Sequence, residues 1–412
     1  MLNTGNTAFM MICTALVFVM TPGLGFFYGG FGRRKNVVNN MMNSIFIMGL
    51  GTFLWVLIGY SLSFGGKGLF IGNLKHIGLH GIGQDSVTGT IPTLVFVAFQ
   101  MMFAIIAPAI ITGSVAGRMK FNALFIFVAL WSLVVYYPMA HMVWGDGGLL
   151  GNGWLKSVDF AGGNVVHIAS GVSGLVLCLL LGKRHGYEQH HTYSIHNIPL
   201  VMLGMGLLWF GWFGFNAGSA LESNGLAAHA FMTTAVSGGT AMLSWMFIDF
   251  IKGKKVTLIG ACTGAIAGLV GITPGAGFVP IWSAIIIGAF VSPVCYYGIV
   301  LIKTKLKFDD ALDAFGIHGI GGIFGGILTG VFASTTINSA TADGLFFGEM
   351  SQFVSQVISI GISIAVSVIG TLICVGIVRL ITPIRVDRKE ERIGLDMSEH
   401  GESAYPSFTG LD

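Results

Sequence analysis

Asp159-Phe-Ala-Gly-Gly-Asn-Val-Val-His167 has a counterpart in Asp310-Ala-Leu-Asp-Ala-Phe-Gly-Ile-His318. In each stretch a carboxylate precedes a histidine by eight residues. Each histidine then runs into His-x-x-x-Gly-[Val/Ile]-x-Gly, from His167 to Gly174 and from His318 to Gly325. Both lie inside uncharged, glycine-rich apolar spans, where a histidine is costly and marks function. Two of them, in matched positions of two halves, read as one site built from a repeat.

The composition around them decides the class. Of 412 residues, 54% are hydrophobic and only 9% are charged. Soluble domains carry about 25% charged residues, so no water-soluble fold of this length covers itself with so few. The chain reads as an all-α, multi-pass membrane protein, with no room for a large soluble domain. The first charged residue is Arg33. The opening stretch therefore lacks the basic region of a signal peptide and is read as the first transmembrane helix. Cys13, Cys178, Cys262, Cys295 and Cys374 all sit in apolar stretches, none in a Cys-x-x-Cys pair. They read as small apolar packers, with no disulfide framework and no thiolate metal site.

Charge-free stretches give eleven spans: 6–31, 38–64, 91–117, 121–142, 161–182, 197–218, 225–249, 256–273, 278–302, 312–334 and 350–380. The stretch 256–302 has no charge at all and, at ~1.5 Å per residue, is too long for one ~30 Å crossing. Thr273-Pro274-Gly275-Ala276-Gly277 is a turn signal, and the stretch divides there. Of the 21 lysines and arginines, eighteen fall in loops around 33–35, 118–120, 183–184, 252–255, 303–307 and 379–392. Lys67, Lys75 and Lys156 fall in the other set. The positive-inside rule then places the N-terminus outside and the C-terminus in the cytoplasm. Spans one to five and six to ten acquire opposite orientations, an inverted repeat. Gly25-Phe-Phe-Tyr-Gly-Gly30 in span one echoes Gly214-Phe-Asn-Ala-Gly-Ser219 in span six. Span eleven is left over, as an outer brace.

Topology also fixes depth. Eight residues of helix advance ~12 Å, so the two histidines, entering a ~30 Å core from opposite faces, arrive within ~6 Å of one depth. They share a hydrogen bond if spans five and ten are neighbours. His185, His190, His191 and His196 cluster in a cytoplasmic loop and read as a solvated loop rather than a metal site. His141 and His229 stand near span ends, where an interfacial role suffices.

Aromatics gather at the outer mouth. Phe99 and Phe103 are four apart on span three, Trp144 follows span four, and Phe215 and Ser219 are four apart at the end of span six. Any one ring alone reads as an interfacial anchor. Together, rings and a hydroxyl without a negative charge suit a small monovalent cation through cation–π attraction. Ser219 can accept a hydrogen bond from a donor cation, which favours ammonium over potassium. A bare cation in a hydrocarbon-lined channel loses its hydration at great cost, whereas neutral ammonia loses far less. Histidine exchanges protons near neutral pH. The pair can relay a proton separately or simply offer ammonia two hydrogen-bonding stations.

These residues resemble the ammonium transporter family (Amt/MEP/Rh) over essentially the whole chain. The carrying stretches are Pro22-Gly-Leu-Gly-Phe-Phe-Tyr-Gly-Gly30, Asp159 to His167, Trp212-Phe-Gly-Phe-Asn-Ala-Gly-Ser219 and Phe315-Gly-Ile-His-Gly319. The tail Gly394-Leu-Asp-Met-Ser-Glu-His-Gly-Glu-Ser-Ala-Tyr405 looks like that of the bacterial and archaeal branch. The resemblance implies an outer ammonium recruitment site at Trp144, Phe103 and Ser219, with Phe99 nearby. It implies a gate of Phe103 and Phe215, twin pore histidines at His167 and His318, and Asp159 supporting the site from beneath. It further implies a transporter of ammonium, ammonia and methylammonium in the cell membrane, assembled as a homotrimer. A PII-type signalling protein (GlnK) would dock on the cytoplasmic face. Residues 1–384 would form the conducting domain and 385–412 a regulatory tail. No cofactor or metal is implied.

Other classes fare worse. No basic run interleaved with aromatics suggests nucleic acid. No His-Glu-x-x-His, P-loop or nucleophile elbow suggests an enzyme. An Amt-like sensor usually adds a signalling domain, for which 381–412 is too short. The aromatic cation site and the tail argue against a passive gas channel of the Rh type.

Overall fold

The structure is a computed structural model that describes residues 1–187 and 195–406. Ten of its helical stretches are long and apolar enough to cross a bilayer: Thr4–Phe31, Arg34–Phe64, Thr93–Val115, Phe121–Trp144, Gly163–Leu181, Ile198–Ala220, Gly225–Ile251, Ile281–Leu306, Phe315–Phe332 and Met350–Ile381. A shorter apolar helix, Leu258–Ile272, supplies the eighth of eleven spans in chain order. The division expected at Pro274 is present, and turns fill the gap before span nine. Outside the spans, one outer loop carries a two-residue antiparallel strand pair, Val87–Thr88 with Ile91–Pro92.

The repeat is visible in which helices touch. Span one packs on three, three on five and two on four. Five spans on, six packs on eight, eight on ten and seven on nine. The halves meet where one lies against six and five against ten. Glycine sets the second contact: a Cβ on Gly171 would run into the backbone of Gly319. Close backbone approach through small residues is how helices pack where lipid offers no hydrophobic drive.

Buried tryptophans tie the bundle at fixed registers. Trp55 donates to the Val97 carbonyl (3.0 Å), Trp131 to Ser173 Oγ (2.8 Å) and Trp212 to Thr273 Oγ1 (2.9 Å). Each ring fills volume while its one polar atom finds a partner, without which burial would be expensive. Span eleven is a brace with a specific grip. The Gln356 amide bonds both the N–H and the carbonyl of Val158 (2.7 and 2.8 Å), and Ser359 accepts from Asn164 (2.9 Å). It therefore holds the segment that leads into His167.

Candidate functional site

Three cavities lie in this part of the bundle. The outer one, about 300 Å³, is walled by Phe96, Gln100, Phe103, Trp144, Phe160 and Ser219, among others. A cavity of about 10 Å³, room for one water-sized molecule, lies between Ile110, Val166, Trp212, Phe215, Ile266 and the two histidines. A cytoplasmic cavity of about 680 Å³ follows, lined by Asp249, Thr263, Tyr296, Lys303 and Asp313 among others.

Phe103 and Phe215 separate the first two. Their rings stack at 4.2 Å and 23°, and both are buried. Above them Trp144 meets Phe103 edge-on at 5.8 Å. Ser219 donates its hydroxyl proton to the Phe215 carbonyl (2.9 Å). Its oxygen lone pairs therefore stay available to accept from a donor in the cavity. Phe99 is placed differently from the sequence expectation. It is fully buried behind Phe103, edge-on at 5.0 Å, and does not line the outer cavity. Phe96, Gln100 and Phe103 share the lining face of span three, at i, i+4 and i+7. That stripe was the available signal, because residues so spaced share one helix face.

Asp159 acts through the backbone. Its carboxylate accepts from Gly162, Gly163 and Asn164 N–H, each at 2.7 Å. Its own carbonyl accepts from Trp144 Nε1 at 2.9 Å. One residue thus fixes both the wall of the outer cavity and the start of the His167 helix. Asp310 does the matching work at the other end, accepting from Phe315 and Gly316 N–H at 2.9 and 3.2 Å. Spacing alone assigns Asp310 no role beyond the repeat.

The histidines meet. His167 Nδ1 and His318 Nδ1 are 3.2 Å apart with rings tilted by 25°, and both are buried. Each sits on a π-helical turn, Gly163–Ile168 and Phe315–Gly319. Such turns recur at functional sites because the extra residue re-aims a side chain. Trp212 stacks on His167 at 5.4 Å and 21°. A close Nδ1–Nδ1 pair needs one ring to donate and the other to accept, so the two Nε2 atoms are left in complementary states. His167 Nε2 is buried with no protein partner.

A family model described as the Ammonium Transporter Family matches residues 8–405. The chain belongs to the ammonium transporter family. Among relatives, it is 47% identical to the ammonium transporter of Bacillus subtilis, over 98% of this chain and 99% of that one. It is 44% identical to the Archaeoglobus fulgidus ammonium transporter Amt1, over 98% and 100%. Of solved structures, Saccharomyces cerevisiae Mep2 superposes with a TM-score of 0.89 at 35% identity, covering 99% of this chain and 93% of that one. The protein is thus a multi-pass membrane transporter rather than an enzyme.

Several other histidines of the transporter have partners of their own. His141 is fully buried rather than interfacial, with its ring nitrogens against the carbonyls of Ser63 (2.9 Å) and Gly68 (2.5 Å). His229 meets the Val279 carbonyl at 2.8 Å. Of the loop cluster, His190 and His191 lie outside the described residues. His196 touches the Gly32 carbonyl (3.1 Å) and the Tyr405 hydroxyl (3.3 Å), and Arg392 Nε reaches His185 Nε2 at 3.3 Å. Among the described residues no group of metal-ligating side chains gathers.

The cytoplasmic ends are stitched together by charge. Arg184 pairs with Asp309, and Arg118 Nη2 donates to the Asp309 carbonyl (2.7 Å). Burial raises the Asp309 carboxyl, but the Arg184 and Arg118 guanidiniums outweigh it and hold the carboxyl below the usual range. The described part of the tail, to residue 406, packs against the loops. Asp396 accepts from Val37 and Asn39 N–H (3.0 and 2.8 Å), Glu391 from His185 N–H (2.6 Å) and Glu399 from Phe121 N–H (3.0 Å).

Proposed function

We propose that the transporter captures ammonium in the outer cavity, strips a proton from it there and passes ammonia between His167 and His318. The observation that carries this reading is the imidazole pair, 3.2 Å apart, in a passage otherwise lined by apolar side chains. In the outer cavity Trp144 and Phe103 present π faces to a cation, and Ser219 accepts one of its hydrogen bonds. No lining group there balances a full charge on the way down, so ammonium gives its proton to water in the outer cavity, above the stacked phenylalanines. Ammonia then crosses the Phe103–Phe215 gate when the rings swing apart and finds a donor and an acceptor at the histidines. The proton either returns outward or follows separately through the imidazoles. Phe99 backs the gate, and Asp159 holds the site's frame.

The family likeness supports a homotrimer with one pore per subunit. The ordered tail supports a division into a conducting domain, 1–384, and a regulatory tail, 385–412. It binds loops on the face where a PII-type protein of the GlnK kind would dock. The test is an ammonium pulse on proteoliposomes. The expected result is a saturable signal, competed by methylammonium and altered by His167→Asp or His318→Glu. Absence of any ammonium-dependent transport across pH would overturn the proposal.

A further inference from the structure

The outer cavity is walled by rings, an amide and hydroxyls, and none of its lining side chains is charged. Its rim is different. Ser219 and Leu221 both line the cavity, and Leu221 adopts a left-handed φ of 60°. Glu222 follows Leu221 directly and is partly exposed. Its carboxylate is pinned from two sides: Thr90 Oγ1 donates to Oε1 (3.3 Å) and Asn224 Nδ2 to Oε2 (3.2 Å). Thr90 is in turn held by Asn6 Nδ2 (2.8 Å), whose Oδ1 accepts from Ser223 N–H (2.9 Å). Thr88, two residues before Thr90, lines the cavity itself. The carboxylate is therefore tied to two strips of chain that both reach the cavity wall.

The neighbouring carboxylates are otherwise engaged. Asp159 is buried and committed to three backbone N–H groups. Asp146 is paired with Lys67 at 3.3 Å. None of the ion pairs among the described residues involves Glu222.

We propose that Glu222 is an electrostatic collar for the outer site, raising the local concentration of ammonium above the aromatic rings. The inference rests on the reading of that cavity as the ammonium capture site. Glu222 is three positions after Ser219, a Cα path of at most ~11 Å. That is close to the ~8 Å screening length at physiological salt, so the field reaches the site and weakens with ionic strength. The attraction acts on any monovalent cation. It strengthens capture and leaves discrimination to the rings and Ser219.

The experiment measures ammonium-evoked current in proteoliposomes against ammonium concentration, at low and high ionic strength. It compares the wild type with Glu222→Gln, which keeps the shape and hydrogen-bonding reach but removes the charge. The half-saturating concentration should rise about two- to fivefold at low salt, as a unit charge at this distance in a watery mouth implies. The gap should close at high salt and the maximal current stay the same. Thr90→Val, which frees the carboxylate but keeps its charge, should shift half-saturation less than Glu222→Gln does. Coincident low-salt curves for wild type and Glu222→Gln would overturn the collar while leaving the transport reading standing. So would a loss of maximal current without a shift in half-saturation, the mark of a mere loop brace. A wild type with no ammonium-evoked current would overturn the transport reading and the collar with it.

Discussion

Asp310 stands in the inner half where Asp159 stands in the outer half. Each carboxylate gathers the backbone N–H groups at the start of a π-turn, and each turn carries a histidine toward the other. The pair of acids positions the pair of bases. Removing either acid orphans buried donors, at about 1–3 kcal/mol each. Asp159→Ala should therefore lower the thermal unfolding midpoint more than Asp310→Ala, because it orphans three N–H groups rather than two. Unfolding in detergent checks the order, and equal midpoints would show that the outer cap carries no extra stability.

The histidines reach each other because spans five and ten cross without side chains between them. Gly171→Ala places a methyl against the backbone of Gly319. Relief requires the two helices to part, and overpacking of this kind costs about 1–3 kcal/mol. The expected outcome is a lower unfolding midpoint together with slower ammonium flux. Wild-type flux in this variant would show that the imidazole spacing is not set at this crossing.

Trp144 contributes a ring to the cavity and an N–H to the Asp159 carbonyl. Trp144→Leu removes both. Loss of one partly exposed cation–π contact, about 0.5–1 kcal/mol, should raise half-saturation by about two- to fivefold. A concentration series of ammonium-evoked currents reads this directly.

Acid should loosen the Asp309 stitching only below the ordinary carboxylate range. Asp309 has its carboxyl held below the ordinary range by Arg184 and Arg118. A depressed carboxyl stabilises the fold at pH values above its unfolded value, about 3.9. That contribution is lost as pH falls through the lower, folded value. Backbone exchange protection around 183–187 should therefore be flat from neutral pH down to the ordinary carboxylate range and fall only below it. Arg184→Leu should bring the loss to higher pH.

Much of this was legible in the sequence. Charge-free lengths and the lysine and arginine asymmetry gave the eleven spans. The matched spacing of Asp159–His167 and Asp310–His318 pointed to histidines at one depth, although the eight residues are not all helix: the helical turns begin only at Gly163 and Phe315, and each acid caps its turn from outside. What spacing could not give was rotation about each helix axis. Phe99 and Phe96 are both apolar residues on span three, yet only Phe96 faces the cavity. His141 sits at a span end and still turns fully inward, onto the Ser63 and Gly68 carbonyls. The role of Asp310 depended on which N–H groups the following π-turn leaves open, and a π-turn has no sequence signature. The charge density of the tail by itself suits a solvated segment, and only its family resemblance pointed to a regulatory contact. Its order comes from partners far away in sequence, such as the Val37 and Asn39 N–H groups held by Asp396.

The most direct test of the twin-histidine pore is an ammonium concentration jump on reconstituted wild type and His318→Leu, recorded beside a potassium jump. The pore described here predicts a saturable response to ammonium, none to potassium, and at least about a tenfold smaller ammonium response in the variant, the equivalent of ~1.4 kcal/mol at the narrowest point. An unchanged ammonium response in His318→Leu would contradict it.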